Sequence, residues 1–162
     1  MKNQKGFSLV ELMIVVAIIM IIAAIAIPNL LQARAAANES SAVGSVRTIN
    51  SAEVIYQSTY PDIGYASQLS DLGSAGASPC VATTTSACLI DSLLESGLKG
   101  GYSFAAAGTG GVPNVQYYVA GTPNGSAGNR SFCGTEDGVV RVDPTGAAIP
   151  DNATCAALTP IQ

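Results

Sequence analysis

Apolar and polar residues follow three successive patterns along the chain. From residue 7 to residue 27 the side chains are apolar except for Ser8 and Glu11. A helix of this length spans about 30 Å, the thickness of the hydrocarbon core of a bilayer. Pro28 follows, and it predicts a kink or a local loosening because proline lacks an N–H group and crowds the preceding turn.

Beyond Pro28 the helical pattern becomes one-sided. Apolar residues recur every three or four positions, which predicts a helix with one buried face; this stripe consists of Ala42, Val46, Ile49, Ala52, Tyr56 and Tyr60. Pro61 ends the pattern, since the residue before a proline disfavours the helical conformation. We interpret Glu39 and Arg47 as solvated surface charges, with pairing between copies of the chain as the alternative.

The third pattern is typical of short strands. Residues 61–100 are predicted to connect the helix to the strands through two short helical turns, at 67–72 and 89–98. Beyond residue 100 the period changes to two, and Gly-rich and Pro-containing turns separate the segments. Four strands are predicted, near 102–106, 115–119, 130–134 and 139–142. The predicted fold class is α+β, with a long N-terminal helix packed on a small antiparallel meander of about four strands.

Composition limits the possible functions. The net charge is −4 and the basic residues are scattered, whereas nucleic-acid binding requires a basic patch, so we predict no specific nucleic-acid partner. The chain has no histidine, and no pair of nucleophile and base is evident, so we predict no enzyme activity and no cofactor. Four acidic residues could surround a calcium ion, but turn roles are favoured for them and no metal is predicted; they are Glu136, Asp137, Asp143 and Asp151.

The four cysteines all follow the apolar segment. An even number beyond an export segment indicates two disulfides formed in an oxidising compartment, with free or metal-bound thiols as the alternative. Four cysteines permit three pairings, and the sequence alone does not choose among them. We favour Cys80–Cys88 and Cys133–Cys155 because both close short loops.

Glu11 is the anomaly of the apolar segment, because a carboxylate in mid-bilayer costs about 2.5–3.5 kcal/mol. A cleaved signal peptide has a shorter apolar stretch, and a plain membrane anchor leaves Glu11 unexplained. The stretch KGFSLVELMIVVAII, residues 5–19, resembles the N-terminal signature of type IV pilins and of the related pseudopilins of type II secretion. The C-terminal disulfide loop is also similar to loops that many type IV pilins carry.

The resemblance assigns a role to individual residues. It implies cleavage after Gly6 by a dedicated membrane peptidase and N-methylation of Phe7. Glu11 occupies the family's acidic position, and Pro28 its helix-interrupting proline. It also implies four regions. These are a cleaved leader at 1–6, a transmembrane and filament-core helix at 7–30, an amphipathic half of that helix at 31–60, and a globular pilin domain at 61–162.

An assembly role for Glu11 follows from the electrostatics of an apolar filament core. An amine and a carboxylate are each costly in such a core and tolerable as a pair. We therefore expect Glu11 to neutralise the amine of Phe7, on the same chain or on an adjacent subunit, where pairing would also set the register.

The resemblance also implies partners and a location. The partners are identical subunits, the peptidase and N-methylase, membrane lipid before assembly, and an inner-membrane platform with a cytoplasmic ATPase. Lys2 and Lys5 precede the helix, so we expect a cytoplasmic N-terminus in the inner membrane, followed by a cell-surface filament. A pseudopilin of type II secretion is the alternative, but the chain lacks tryptophan and the acidic calcium loop that many major pseudopilins carry.

Overall fold

The computed structural model describes residues 7–161. Its first element is helix α1, Leu9–Thr59, which continues through Pro28 without interruption. The described residues up to Arg34 form one compact unit, and those from Ala35 onward form another, which we call the head. The predicted long helix is confirmed.

The head contains a sheet of six antiparallel strands in the order in which they occur along the chain. The strands are β1 (Leu98–Lys99), β2 (Tyr102–Thr109), β3 (Gln116–Pro123), β4 (Ser131–Thr135), β5 (Val140–Asp143) and β6 (Thr159–Pro160). The predicted meander is therefore confirmed, but the number of strands was wrong. The two additional strands are edge strands of two residues each, too short to show any alternation of apolar and polar side chains.

Three short helices lie in the connections of the head. A 3-10 helix, Leu69–Leu72, corresponds to the first predicted turn. Helix α2, Ser92–Glu95, is shorter than the predicted second turn, because Asp91 caps its N-terminus and Gly97 adopts a positive φ of 74° that ends it. Helix α3, Asn152–Ala156, lies in the segment after β5, residues 144–161, which we call the tail. This helix was not predicted.

The main core of the head lies between the helix stripe and one face of the sheet. Five of the six predicted stripe residues are buried, and Tyr60 packs against the core half-buried. The sheet contributes the inward side chains of β2 to β5, which are Tyr102, Phe104, Ala106, Tyr117, Val119, Phe132 and Val140. A second, smaller cluster joins Ala120 and Cys133 to Ile149 and Cys155 of the tail. Strand β4 is consequently buried along its whole length.

Candidate functional site

The first half of α1 is apolar and has no protein cover within its own unit. Its large apolar side chains from Leu9 to Leu31 are between 39% and 72% exposed. By length and composition this helix can cross a membrane, with a mean hydropathy of 3.1 in its most apolar window. A helix that is apolar on all sides requires lipid or other apolar helices around it.

Glu11 lies in the first turn of this helix, where its carboxylate caps the chain. The backbone N–H of Ser8 donates a hydrogen bond of 2.9 Å to Glu11 Oε2. Ser8 precedes the first helical residue, so the contact is one half of a capping box, with glutamate at the third helical position. The positive end of the helix dipole also stabilises a carboxylate there. This contact was not predicted, although the Ser-x-x-Glu spacing indicates it.

The other predicted residues of the N-terminal site are placed as follows. Gly6, the predicted cleavage position, lies outside the described residues. Phe7 is described and is 82% exposed. Pro28 is exposed within the continuous helix, and its missing N–H leaves the carbonyl of Ala24 without its usual helical donor. The roles of these residues in processing and assembly stay predictions.

Both disulfides join the pairs favoured from the sequence, Cys80 with Cys88 and Cys133 with Cys155. The first closes a surface loop. The second joins β4 to α3 and contributes to the smaller apolar cluster. The tail is thereby held on the face of β4 that the helix does not cover.

Glu39 is buried, with only 6% of its surface exposed. The interpretation of Glu39 as a solvated surface charge was therefore wrong. Its carboxylate accepts hydrogen bonds from the Asn129 N–H at 2.9 Å and from Arg130 Nε and Nη2 at 2.8 and 2.6 Å. Burial alone raises the pKa of Glu39, but these donors outweigh it and hold the pKa below its usual value. The ion pair therefore ties α1 to the loop before β4 in the same chain, and Arg47 is not the residue that pairs with it.

Glu53 is a second buried carboxylate on α1, and no basic side chain among the described residues compensates its charge. It is fully buried, and its Oε2 accepts a hydrogen bond of 2.9 Å from the Ala66 N–H, while Oε1 has no partner. Burial is the largest cause that raises the pKa of Glu53 to about 7; the Ala66 bond opposes it and the charge of Asp71 adds to it. Near neutral pH this carboxyl group therefore gains or loses a proton inside the core.

Of the four acidic residues considered for calcium, Asp137 and Asp143 have the predicted turn roles and Asp151 caps a helix, whereas Glu136 accepts from the side chains of Gln116 and Asn152. Asp137 accepts from the Val139 N–H, Asp143 from the Thr145 N–H, and Asp151 caps α3 through the Thr154 N–H, each at 2.7 to 2.9 Å. The guanidinium of Arg141 also binds Asp137 and lowers the pKa of that carboxyl to about 2.

Comparison with known proteins identifies the N-terminal segment. Residues 1–27 match the family described as "Prokaryotic N-terminal methylation motif". Over 40 residues the chain is 62% identical to the type IV wide pilus major component PilA4 of Thermus thermophilus, covering 25% of this chain and 30% of that protein. It is 49% identical over 51 residues to the type IV major pilin protein PilA of Myxococcus xanthus, covering 32% and 23%.

A third relative is a fimbrial protein of Pseudomonas aeruginosa, 54% identical over 52 residues, which cover 32% of this chain and 34% of that protein. The chain thus spans about a third or less of the length of the curated relatives that it matches. The resemblance to type IV pilins is confirmed. The motif and these relatives support a pilin or pseudopilin-like structural subunit rather than an enzyme.

Proposed function

We propose that this chain is the structural subunit of a type IV pilus. It is inserted in the inner membrane, cleaved after Gly6, N-methylated at Phe7, and polymerised through its N-terminal helix. The observation that carries this proposal is the exposed apolar half of α1 with a single carboxylate in its first turn. The apolar helix and the methylation motif fit a precursor anchored in the inner membrane that later forms a surface pilus.

Assembly moves the apolar helix from lipid into a bundle of identical helices. This transfer is nearly neutral in hydrophobic free energy, so packing and polar contacts determine the order of the product. After cleavage the amine of Phe7 lies one helical turn before Glu11, whose Oε2 is already held by Ser8. The amine of an adjacent subunit then supplies the opposite charge that the described chain does not place beside Glu11.

Processing is tested by mass spectrometry of the mature chain. The proposal expects an N-terminus at methylated Phe7. An intact Met1, or a start near Ile27, contradicts it, because a receptor keeps its leader and a secreted domain loses the whole span. The membrane peptidase, the assembly platform and its ATPase are the partners proposed for these steps.

The role of the Glu11 charge is tested by a pair of matched substitutions. Glu11→Gln retains a side chain that can cap Ser8 but carries no charge, whereas Glu11→Ala loses both functions. We expect both variants to be exported and cleaved, and both to form few or no filaments. Normal filaments from Glu11→Gln with none from Glu11→Ala would show that the cap matters and the charge does not.

A pilus rather than a pseudopilus is favoured because the relatives described above are named as pilus or fimbrial proteins. Electron microscopy of whole cells distinguishes the two. The proposal expects long filaments outside the cell that a tagged copy of this chain labels. Secretion that depends on the chain in cells without surface filaments would favour the pseudopilin.

A further inference from the structure

The head has one cation without an acidic partner among its described residues. Three of its four basic side chains form ion pairs, Lys99 with Asp91, Arg130 with Glu39, and Arg141 with Asp137. The fourth is Arg47, which is exposed on α1 and has no carboxylate within ion-pair distance in the part of the chain that the structure describes. Its charge is therefore available to another molecule.

The same region has one carboxylate side chain without a hydrogen bond. From residue 35 to residue 161, every other Asp or Glu side chain accepts at least one hydrogen bond. Asp62 accepts none within these residues, and it is exposed in the turn that follows α1. A head with an acidic excess thus leaves one charge of each sign unpaired.

Arg47 and Asp62 are too far apart within one copy to form an ion pair with each other. Arg47 lies twelve residues before the end of α1 at Thr59, which is about 18 Å along the helix axis. Asp62 comes after that end. An ion pair requires an approach to about 4 Å, so the two residues can meet only between copies.

Arg47 lies at the rim of a pocket whose wall contains unpartnered polar groups. The pocket has a volume of about 360 Å³ and lies between α1, the start of β3 and the turn before β5, with Asn50 and Tyr117 in its wall. Asn50 is 6% exposed and Tyr117 is fully buried. Both amide atoms of Asn50 and the hydroxyl of Tyr117 have no hydrogen-bond partner in the structure.

Unpartnered buried polar groups are costly and call for a ligand or ordered water. The amide Nδ2 and the phenol are neutral donors, and the guanidinium of Arg47 adds a charged donor. A carboxylate at the rim accepts from the guanidinium, which is the charged donor of the three. Gly138 at the edge of the pocket has no side chain to obstruct entry, and a Cβ there would meet nothing within 4 Å.

We propose that Asp62 of one copy binds in the Arg47 pocket of the next copy in the filament. The inference rests on the proposed function and names a polar contact between heads. Each copy supplies one Asp62 and one Arg47 pocket. The contact is therefore heterologous, and it can repeat between successive copies along an open filament. Because each copy has one unpaired charge of each sign, a second copy of the chain is the favoured partner for the pocket.

Charge reversal in the full-length chain tests the contact. Arg47→Glu and Asp62→Arg each place like charges together at every junction, so we expect each single variant to form roughly tenfold fewer filaments or less. The double variant restores opposite charges and is expected to assemble nearly as well as the unaltered chain. Thr48→Glu is the control, since it adds a charge at the neighbouring exposed position of α1 but outside the pocket.

Co-expression of the two single variants shows whether the contact joins different copies. When the two variants alternate along a filament, the side chains at positions 47 and 62 that meet at each junction carry opposite charges. We therefore expect filaments from the mixture. The amount of filament is measured by sedimentation and electron microscopy, and the thermal unfolding of each detergent-solubilised chain serves as a stability readout.

The inference is overturned if the single variants assemble like the unaltered chain, or if either the double variant or the mixture fails to restore filaments. It is also overturned if each single variant lowers the unfolding temperature, because the residues would then act within one copy. Absence of filaments from the unaltered chain would instead overturn the proposed function itself.

Discussion

Replacing Glu53 by glutamine removes a charge from the core while preserving the shape of the side chain. The amide oxygen of glutamine can still accept the hydrogen bond that Ala66 donates to Glu53 Oε2. The groups that face Glu53 are the carboxylate of Asp71 on the 3-10 helix and the hydroxyls of Tyr56, Tyr65 and Tyr117. None of these supplies a positive charge.

The magnitude follows from the proton that Glu53 retains in the folded chain. Its pKa is raised from the usual 4.5 to about 7. Between these pH values the folded chain holds a proton that the unfolded chain has lost, so the free energy of unfolding falls by about 1.4 kcal/mol per pH unit. Over about 2.5 pH units the loss is roughly 3 kcal/mol. This contribution is complete below pH 4.5 and is lost as the pH rises through 7.

Glu53→Gln is therefore expected to match the unaltered chain near pH 4.5 and to be more stable at pH 8 by roughly 3 kcal/mol, or about 10 °C in unfolding temperature. Thermal unfolding of the detergent-solubilised full-length chain, followed by circular dichroism at several pH values, measures the difference. The chain has no histidine, so few other groups titrate in this window. Parallel stability curves for the two chains between pH 4.5 and 8 would refute the reasoning.

The remaining predictions concern contacts that hold the head together. Glu39→Gln should destabilise the head by about 2 kcal/mol at pH 7, measured by urea unfolding, because charge-assisted bonds are lost. Since the pKa of Glu39 is lowered from its usual value of 4.5, the unaltered chain should lose this advantage as the pH falls below 4.5 and through that lowered pKa, unlike the variant. Gly134→Ala should cost about 1–3 kcal/mol, as its Cβ would lie 2.5 to 2.9 Å from Asn50 atoms; Asn50→Ala in the same chain should recover most of it, and additive losses would contradict the contact. Replacing both Cys133 and Cys155 by alanine should cost roughly 3 kcal/mol for a loop of this length, which the shift in unfolding temperature checks.

The helix stripe and the meander could be predicted because burial imposes a period on the sequence. Val46, Ile49 and Tyr56 recur at helical spacing, and the structure buries all three. In β2 the buried Tyr102 and Phe104 alternate in the same way with less buried residues. These patterns need no knowledge of distant contacts, since each depends on one element and the face that it turns inward.

The burial of two carboxylates on α1 was missed, because Glu39 was interpreted as a surface charge and no prediction was made for Glu53. Glu53 follows Ile49 by four residues and precedes Tyr56 by three, so it lies on the buried face. Glu39 precedes Ala42 by three residues and lies on that face too. The spacing alone would have indicated both. Their different environments depend on Arg130 and Ala66, which the fold brings from distant parts of the chain.

Helix α1 carries three carboxylates, and the described chain treats the charge of each in a different way. Arg130 supplies an opposite charge to Glu39, and burial favours the protonated form of Glu53. Glu11 is exposed and has no basic partner among the described residues, and it receives only the N–H of Ser8 and the end of the helix dipole. It is also the one of the three that lies in the segment lacking protein cover. Of the three carboxylates, Glu11 is thus the one that an opposite charge on a neighbouring subunit would stabilise most. Its substitution should therefore affect assembly more than folding.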